Sequence, residues 1–232
     1  MPEIFFSGPE GRIEGRYHHN ELKGAPIVVV LHPHPLYGGT MNNKIAYNLY
    51  QSFVRAGFST LRFNFRGVGK SQGKFDDGIG ELADAATALD WIQQQNMDAS
   101  TCWIAGFSFG AWIAMQLLMR RPEIDGFISV SPPANLYDFT FLSPCPAAGL
   151  IAMGAKDDIA LEESVGKLAS KLAGQKGANI EYKVIADADH YYRNHLDELN
   201  TTLDDYITRR MSDFSQRRKI RPDRKRRQLP RD

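Results

Sequence analysis

The run CWIAGFSFGAWIAMQLLM, from Cys102 to Met119, changes character in its middle. Its first part, Cys102 to Phe107, is short and apolar and reads as a strand. Its last part, Ala111 to Met119, is apolar nearly all round, the pattern of a helix buried at the centre of a domain. Between them stands Gly106-Phe107-Ser108-Phe109-Gly110, a G-x-S-x-G turn leading from strand to helix. A turn of this kind holds its serine at the edge of a sheet on a strained backbone, and small residues on both flanks let the helix pack tightly on the strand. The competing reading is that Ser108 merely caps the helix starting near Phe109; the strand-turn-helix context favours the first.

Outward from this run, short strand-like segments alternate with helical periodicity. Ile4 to Ser7 and Arg12 to His18 flank Gly8-Pro9-Glu10-Gly11 and read as a hairpin. Pro26 to His32 is a continuous Ile/Val/Leu run, as expected of a strand covered on both faces. Further strands are expected at Ser59 to Phe65, Gly126 to Ser131, Leu150 to Gly154 and Ile180 to Ile185. Helical spacing is kept by Leu82, Ala85, Ala86, Leu89 and Ile92, by Leu161, Val165, Leu168 and Leu172, and by Leu196, Leu199, Leu203 and Tyr206. Strand alternating with helix implies a three-layer α/β/α, doubly wound and mostly parallel sheet, which binds ligands at the carboxyl ends of its strands. No linker or repeat interrupts residues 1–210, so one domain is expected there, followed by a basic, disordered tail over residues 211–232 that is dispensable for catalysis.

A serine hydroxyl is a poor nucleophile at neutral pH, so Ser108 needs a base and an orienting acid further along, in the order serine, acid, histidine. The strand at Leu150 is followed by Gly154-Ala155-Lys156-Asp157-Asp158, which puts two carboxylates on the correct edge. The strand at Ile180 is followed by Asp187-Ala188-Asp189-His190-Tyr191-Tyr192, and His190 is the natural base. Asp187 and Asp189 are too near His190 in sequence to be favoured as its orienter.

Together with Leu31-His32-Pro33-His34-Pro35-Leu36-Tyr37-Gly38-Gly39 and Asn64-Phe65-Arg66-Gly67-Val68-Gly69-Lys70-Ser71-Gln72-Gly73, these motifs make the chain resemble a minimal α/β-hydrolase. It is similar to the dienelactone-hydrolase-like group of small bacterial serine hydrolases, over about residues 3–208. In that group the acid stands three residues after the glycine ending the seventh strand, which implies Asp157. The usual His-Gly-x is here His32-Pro33-His34, so the resemblance implies an oxyanion hole from the backbone N–H of His34 and of Phe109. Pro35 cannot donate, which leaves Leu36 as the fallback donor. Gly38 and Gly39 would let this loop approach a substrate closely. The implied activity is that of a carboxylesterase-like serine hydrolase. A triad of Ser108, His190 and Asp157 would form an acyl-enzyme with a small acyl substrate, without a cofactor or metal. Only Pro132 to Pro146 separates Ser131 from the next strand, and its four prolines cannot build a helical lid. An open site is therefore expected, rimmed by Leu36, Tyr37, Leu136, Tyr137, Phe139, Tyr191 and Tyr192, with Leu36, Tyr37, Tyr137 and Tyr191 lining the substrate.

Composition narrows the field. With 232 residues and 43% hydrophobic side chains the chain can bury one sizeable core. Its longest wholly apolar stretch, Ala25 to Leu31, is far below the roughly 18–20 residues of a membrane span. Neither a secretory signal nor a transit peptide is visible, so the expected location is the cytoplasm. Cys102 and Cys145 lie in no Cys/His cluster and read as buried fillers, not as a disulfide or zinc site. The net charge of +1 divides into a tail of +6 and a body of −5, so the body should not bind nucleic acid. No aromatic residue interrupts the basic run from Arg217 to Arg231 as a base-stacking platform would need. Gly67-Val68-Gly69-Lys70-Ser71 imitates a phosphate-binding loop, but Asn64 stands where its first glycine belongs. Two rivals remain. One is a metal-dependent hydrolase using His32 and His34, with His190, Asp157 or Asp187 completing the shell. The other is a non-catalytic binding protein on the hydrolase fold. No residue pattern fixes an oligomeric state.

Overall fold

The computed structural model describes residues 3–220. Eight strands form one sheet: β1 (Glu3–Gly8), β2 (Gly11–His18), β3 (Ile27–Leu31), β4 (Ser59–Phe63), β5 (Cys102–Phe107), β6 (Ile124–Val130), β7 (Ala148–Gly154) and β8 (Ile180–Ile185). Five α-helices connect or flank them: α1 (Lys44–Arg55), α2 (Ile79–Gln95), α3 (Phe109–Leu118), α4 (Glu162–Ala173) and α5 (Leu196–Ile220). The strand order is β1-β2-β4-β3-β5-β6-β7-β8. The two ladders of the N-terminal hairpin strand β2 are antiparallel and all the others are parallel. This is the expected three-layer, mostly parallel sheet with an N-terminal hairpin and no cap.

The central strands show why unbroken apolar runs encode this fold. In β3, Ile27, Val29 and Leu31 pack into the layer that α2, α3 and α4 cover, while Val28 and Val30 point into the layer under α1 and α5. A strand's side chains alternate between faces, so covering both faces requires apolar residues at every position. In β5, Ile104 serves the first layer and Trp103, Ala105 and Phe107 the second. α1 begins where the Asn43 side chain accepts from the N–H groups of Ile45 (2.9 Å) and Ala46 (3.3 Å), satisfying donors the helix cannot pair internally. It then buries Ile45, Ala46, Leu49, Tyr50 and Phe53 along one stripe.

The strand order places the site. β3 pairs with β4 on one side and β5 on the other, with Leu31 opposite Gly106. Chain connections diverge at this point, so a crevice opens beyond the carboxyl ends of these two strands. The loop that leaves β3 and the turn that leaves β5 therefore face each other across it.

The last helix runs past Arg210, where periodicity alone would end it, to Ile220. Met211 packs against the core under α1 and α5, and Arg210 lies 3.7 Å from Asp213, which gives the extra turns local support. The rest of the expected tail, residues 221–232, lies outside the described residues. A truncation after Arg210 is thus expected to lower Tm by about 2–4 °C relative to one after Ile220, for a loss near 1 kcal/mol; calorimetry on the two truncated chains measures the difference. No helix among the described residues is long and apolar enough to cross a membrane.

Candidate active site

Ser108 follows the last residue of β5 with φ 55° and ψ −120°, a backbone region costing an L-residue on the order of 1–3 kcal/mol. The turn is held by its N–H donating to the Val130 carbonyl (2.9 Å) and its own carbonyl accepting from Ala111 (2.9 Å) and Trp112 (3.3 Å). The flanking glycines are required sterically. A Cβ at Gly106 would run into the Gly110 carbonyl, and one at Gly110 into the carbonyls of Leu31 and His32. Gly110 thus seats the first turn of α3 directly against the exit of β3.

Asp157 follows β7, and its Oδ1 accepts from the N–H groups of Ile159 (3.0 Å) and Ala160 (2.8 Å). Both oxygens also face His190 Nδ1, at 2.9 and 2.8 Å. His190 Nε2 lies 3.1 Å from Ser108 Oγ. A carboxylate only accepts, so Nδ1 carries the proton that bonds Asp157, and Nε2 is left as acceptor for the Ser108 hydroxyl. All three side chains are buried. The sequence-predicted serine, histidine and acid are brought together in one line of hydrogen bonds. Asp158 is exposed. Asp187 is engaged by Lys156 (2.6 Å) and Asp189 by Arg193 (3.3 Å).

The loop carrying His190 is fastened on both sides of that residue. The Ala188 carbonyl accepts from Lys156 N–H (2.9 Å). Tyr192, with no exposed surface, has its hydroxyl 3.0 Å from Ser131 Oγ and donates to the Ala152 carbonyl at 3.5 Å. Burial raises the Tyr192 phenol well above its ordinary pKa, so it keeps its proton. The Phe107 ring, 4.9 Å from the imidazole between centroids, packs on His190.

The loop after β3 is secured by a second polar chain. Glu14 Oε2 accepts from Asn64 Nδ2 (2.8 Å) and Lys70 N–H (2.8 Å), and Asn64 Oδ1 accepts from Met41 N–H (2.8 Å). His32 donates from Nδ1 to the Pro33 carbonyl (2.6 Å) and accepts at Nε2 from Phe65 N–H (3.0 Å). Burial holds its pKa down at about 4. With both nitrogens occupied and the ring enclosed, His32 cannot ligate a metal, which removes the paired-imidazole reading. His34 Nδ1 accepts from Leu36 N–H (3.2 Å) and so helps close a short 3-10 turn over Pro35–Tyr37.

A cleft of about 370 Å³ opens over Ser108 and His190; its walls include His34, Tyr37, Asn43, Leu136, Ile159 and Tyr191. Among the described residues no Asp, Glu, Lys or Arg lines it. Several expectations need correction. Leu36 does not line the cleft; its side chain is exposed, and its N–H, the fallback oxyanion donor, is taken by His34. Tyr137 also lies outside the cleft, stacked on Trp112 at 4.4 Å. Phe139 and Tyr192 are core residues, not rim, and Cys145 is only half-buried. Asn43 and Ile159 were not anticipated. An Asn immediately ahead of an amphipathic run is a cap signal that marks the first, whereas no local signal marks the second.

With this sheet, turn and cleft, the protein is an α/β hydrolase. Residues 19–230 match the model of the family described as X-Pro dipeptidyl-peptidase (S15 family), and the chain belongs to that family. It is 51% identical over 232 residues to an uncharacterized protein of Rickettsia prowazekii, covering 98% of each chain. Among solved structures, it is similar to an alpha/beta hydrolase of unknown function from Agrobacterium tumefaciens, with 55% identity, a TM-score of 0.89 and coverage of 91% of this chain and 97% of that one. An alpha-beta serine hydrolase homologue from Coxiella burnetii shares 32% identity at a TM-score of 0.78, covering 88% and 96%. These likenesses support hydrolase activity.

Proposed function

We propose that the protein is a serine hydrolase that cleaves small, uncharged carboxylic esters through an acyl-enzyme. The observation that carries this reading is the hydrogen-bonded line from Ser108 Oγ through His190 to Asp157. In the first half-reaction Ser108 Oγ bonds to the acyl carbon while His190 Nε2 takes its proton, then returns it to the departing alcohol oxygen as the ester C–O bond breaks. In the second, His190 takes a proton from water, whose oxygen bonds to the acyl carbon, and returns it to Ser108 Oγ as the acid leaves. Asp157 keeps the imidazole in the tautomer this requires and stabilises the imidazolium. The N–H of Phe109, at the start of α3 with no intrahelical acceptor, and that of His34 receive the charge developing on the carbonyl oxygen. The seat of Gly110 against the exit of β3 supports this pairing.

The family's name suggests a dipeptidyl-peptidase, but releasing an N-terminal dipeptide means holding a free ammonium group. No carboxylate lines the cleft among the described residues, and a desolvated, unpaired ammonium is strongly disfavoured. Esters are therefore preferred as substrates. Labelling with a fluorophosphonate, mapped to the Ser108 peptide, tests the reading; an unlabelled, inactive enzyme would support a binding protein instead. A cleft of this volume without a cap encloses little of a long chain, so each added methylene gains less than the roughly 0.8 kcal/mol of full burial. On p-nitrophenyl esters kcat/KM is expected to peak at about two to six acyl carbons, with no jump on micelles. A steady rise through the longer esters of the same series would show a buried acyl tunnel.

A further inference from the structure

Two polar side chains in the cleft have one end fixed by a backbone donor, and this decides what their other end offers. Asn43 Oδ1 accepts from Ile45 and Ala46 N–H at the start of α1. The amide is planar, so its NH2 group is turned away from the helix. His34 Nδ1 accepts from Leu36 N–H, and since a backbone amide can only donate, the ring proton of the neutral imidazole resides on Nε2. Desolvation lowers the pKa of His34 and outweighs the opposing pull of the Asp77 charge, which favours this neutral form. Neither Asn43 Nδ2 nor His34 Nε2 has an acceptor among the described residues. Both residues line the cleft over Ser108, whose described walls contain no carboxylate, and Asp77, whose charge reaches His34, makes no hydrogen bond to either.

We propose that this is a polar subsite: the substrate carries a hydrogen-bond acceptor apart from its scissile carbonyl, an oxo or ether oxygen, which Asn43 Nδ2–H and His34 Nε2–H receive. The inference rests on the serine-hydrolase reading and narrows its substrate class from simple alkyl esters to oxygen-substituted ones. A site with fixed donors discriminates against an analogue that lacks the matching oxygen, because the donors then lose their water without gaining a partner. Asn43 and His34 are specificity-determining residues in this scheme, separate from the groups that move protons.

Matched substrates test it. One pair differs in the acyl half, p-nitrophenyl pentanoate against p-nitrophenyl 4-oxopentanoate. The other differs in the alcohol half, n-butyl butanoate against 2-methoxyethyl butanoate. Rates are normalised to hydroxide-catalysed hydrolysis, so that the intrinsic reactivity of each ester cancels. In at least one pair the wild-type enzyme is expected to prefer the oxygen-bearing member by about tenfold in kcat/KM. Asn43→Asp retains an oxygen to cap α1 but loses both amide hydrogens, and is expected to bring that ratio close to one; Asn43→Ser, which also caps, serves if the first variant does not fold. No preference in either pair, or a preference that survives in both the Asn43 variant and His34→Phe, overturns the subsite. Fluorophosphonate labelling of the same preparations separates the two levels: a labelled, active enzyme without preference overturns the subsite alone, while no label and no turnover overturn the serine-hydrolase reading with it.

Discussion

Replacing Ser108 or His190 by alanine is expected to lower kcat by about 10⁴–10⁶-fold, and replacing both should cost little more than either alone. The expectation follows from the proposed mechanism, in which one proton path, Ser108 Oγ to His190 Nε2 across the observed 3.1 Å, serves both half-reactions. Without the imidazole the hydroxyl keeps its proton, and without the hydroxyl the imidazole has nothing to activate except water. Residual catalysis from the oxyanion donors and substrate binding is expected to remain. Steady-state kinetics on purified variants, with circular dichroism to show that the fold persists, are the check; more than a tenth of wild-type activity in either would remove these residues from the reaction path.

The second large effect concerns the acid. Asp157→Asn is expected to lower kcat by about 10³–10⁴-fold, because an amide can present an N–H to His190 Nδ1 and favour the wrong tautomer. Asp158→Asn, at the neighbouring exposed position, is expected to change kcat less than twofold, within the roughly ±0.5 kcal/mol typical of surface substitutions. The two variants differ by one residue and carry the same change of charge, so net charge cannot explain a difference between them. A larger loss in the Asp158 variant would shift the acid by one position.

The sequence discloses most where local and global requirements coincide. Cys102 to Phe107 had to be apolar on both faces, and Gly106 and Gly110 had to lack side chains, so strand and turn both stand out from their surroundings. β8, Ile180–Ile185, is likewise legible as a short β-rich run. α1 is not among the helices named from periodicity, although Asn43 and the buried stripe from Ile45 to Phe53 mark it. The glycine-rich and proline-rich stretch before it draws attention to the loop instead. The walls of the cleft were legible only in part, since they come from segments distant in sequence and facing side chains decide which residues are exposed. Tyr137 and Tyr191 are both aromatic residues beyond strand ends, yet Trp112 covers one and the cleft takes the other. Similarly, nothing in a His-Pro-His-Pro string announces that His32 is enclosed while His34 lines the site.

The short connection between β6 and β7, which leaves the sheet without a cap, bears on the tempo of the reaction as well as on access. An enzyme with a moving cap must open and shut once per cycle, and that motion often limits turnover. In the proposed reaction no cap among the described residues has to swing aside for the alcohol to depart or for water to reach the acyl carbon. On the acyl-enzyme mechanism proposed above, the slow events are then expected to be the making and breaking of bonds at that carbon, with the intermediate open to nucleophiles in the surrounding solution. An added alcohol is then expected to intercept it in competition with water, giving a transferred ester in place of the free acid.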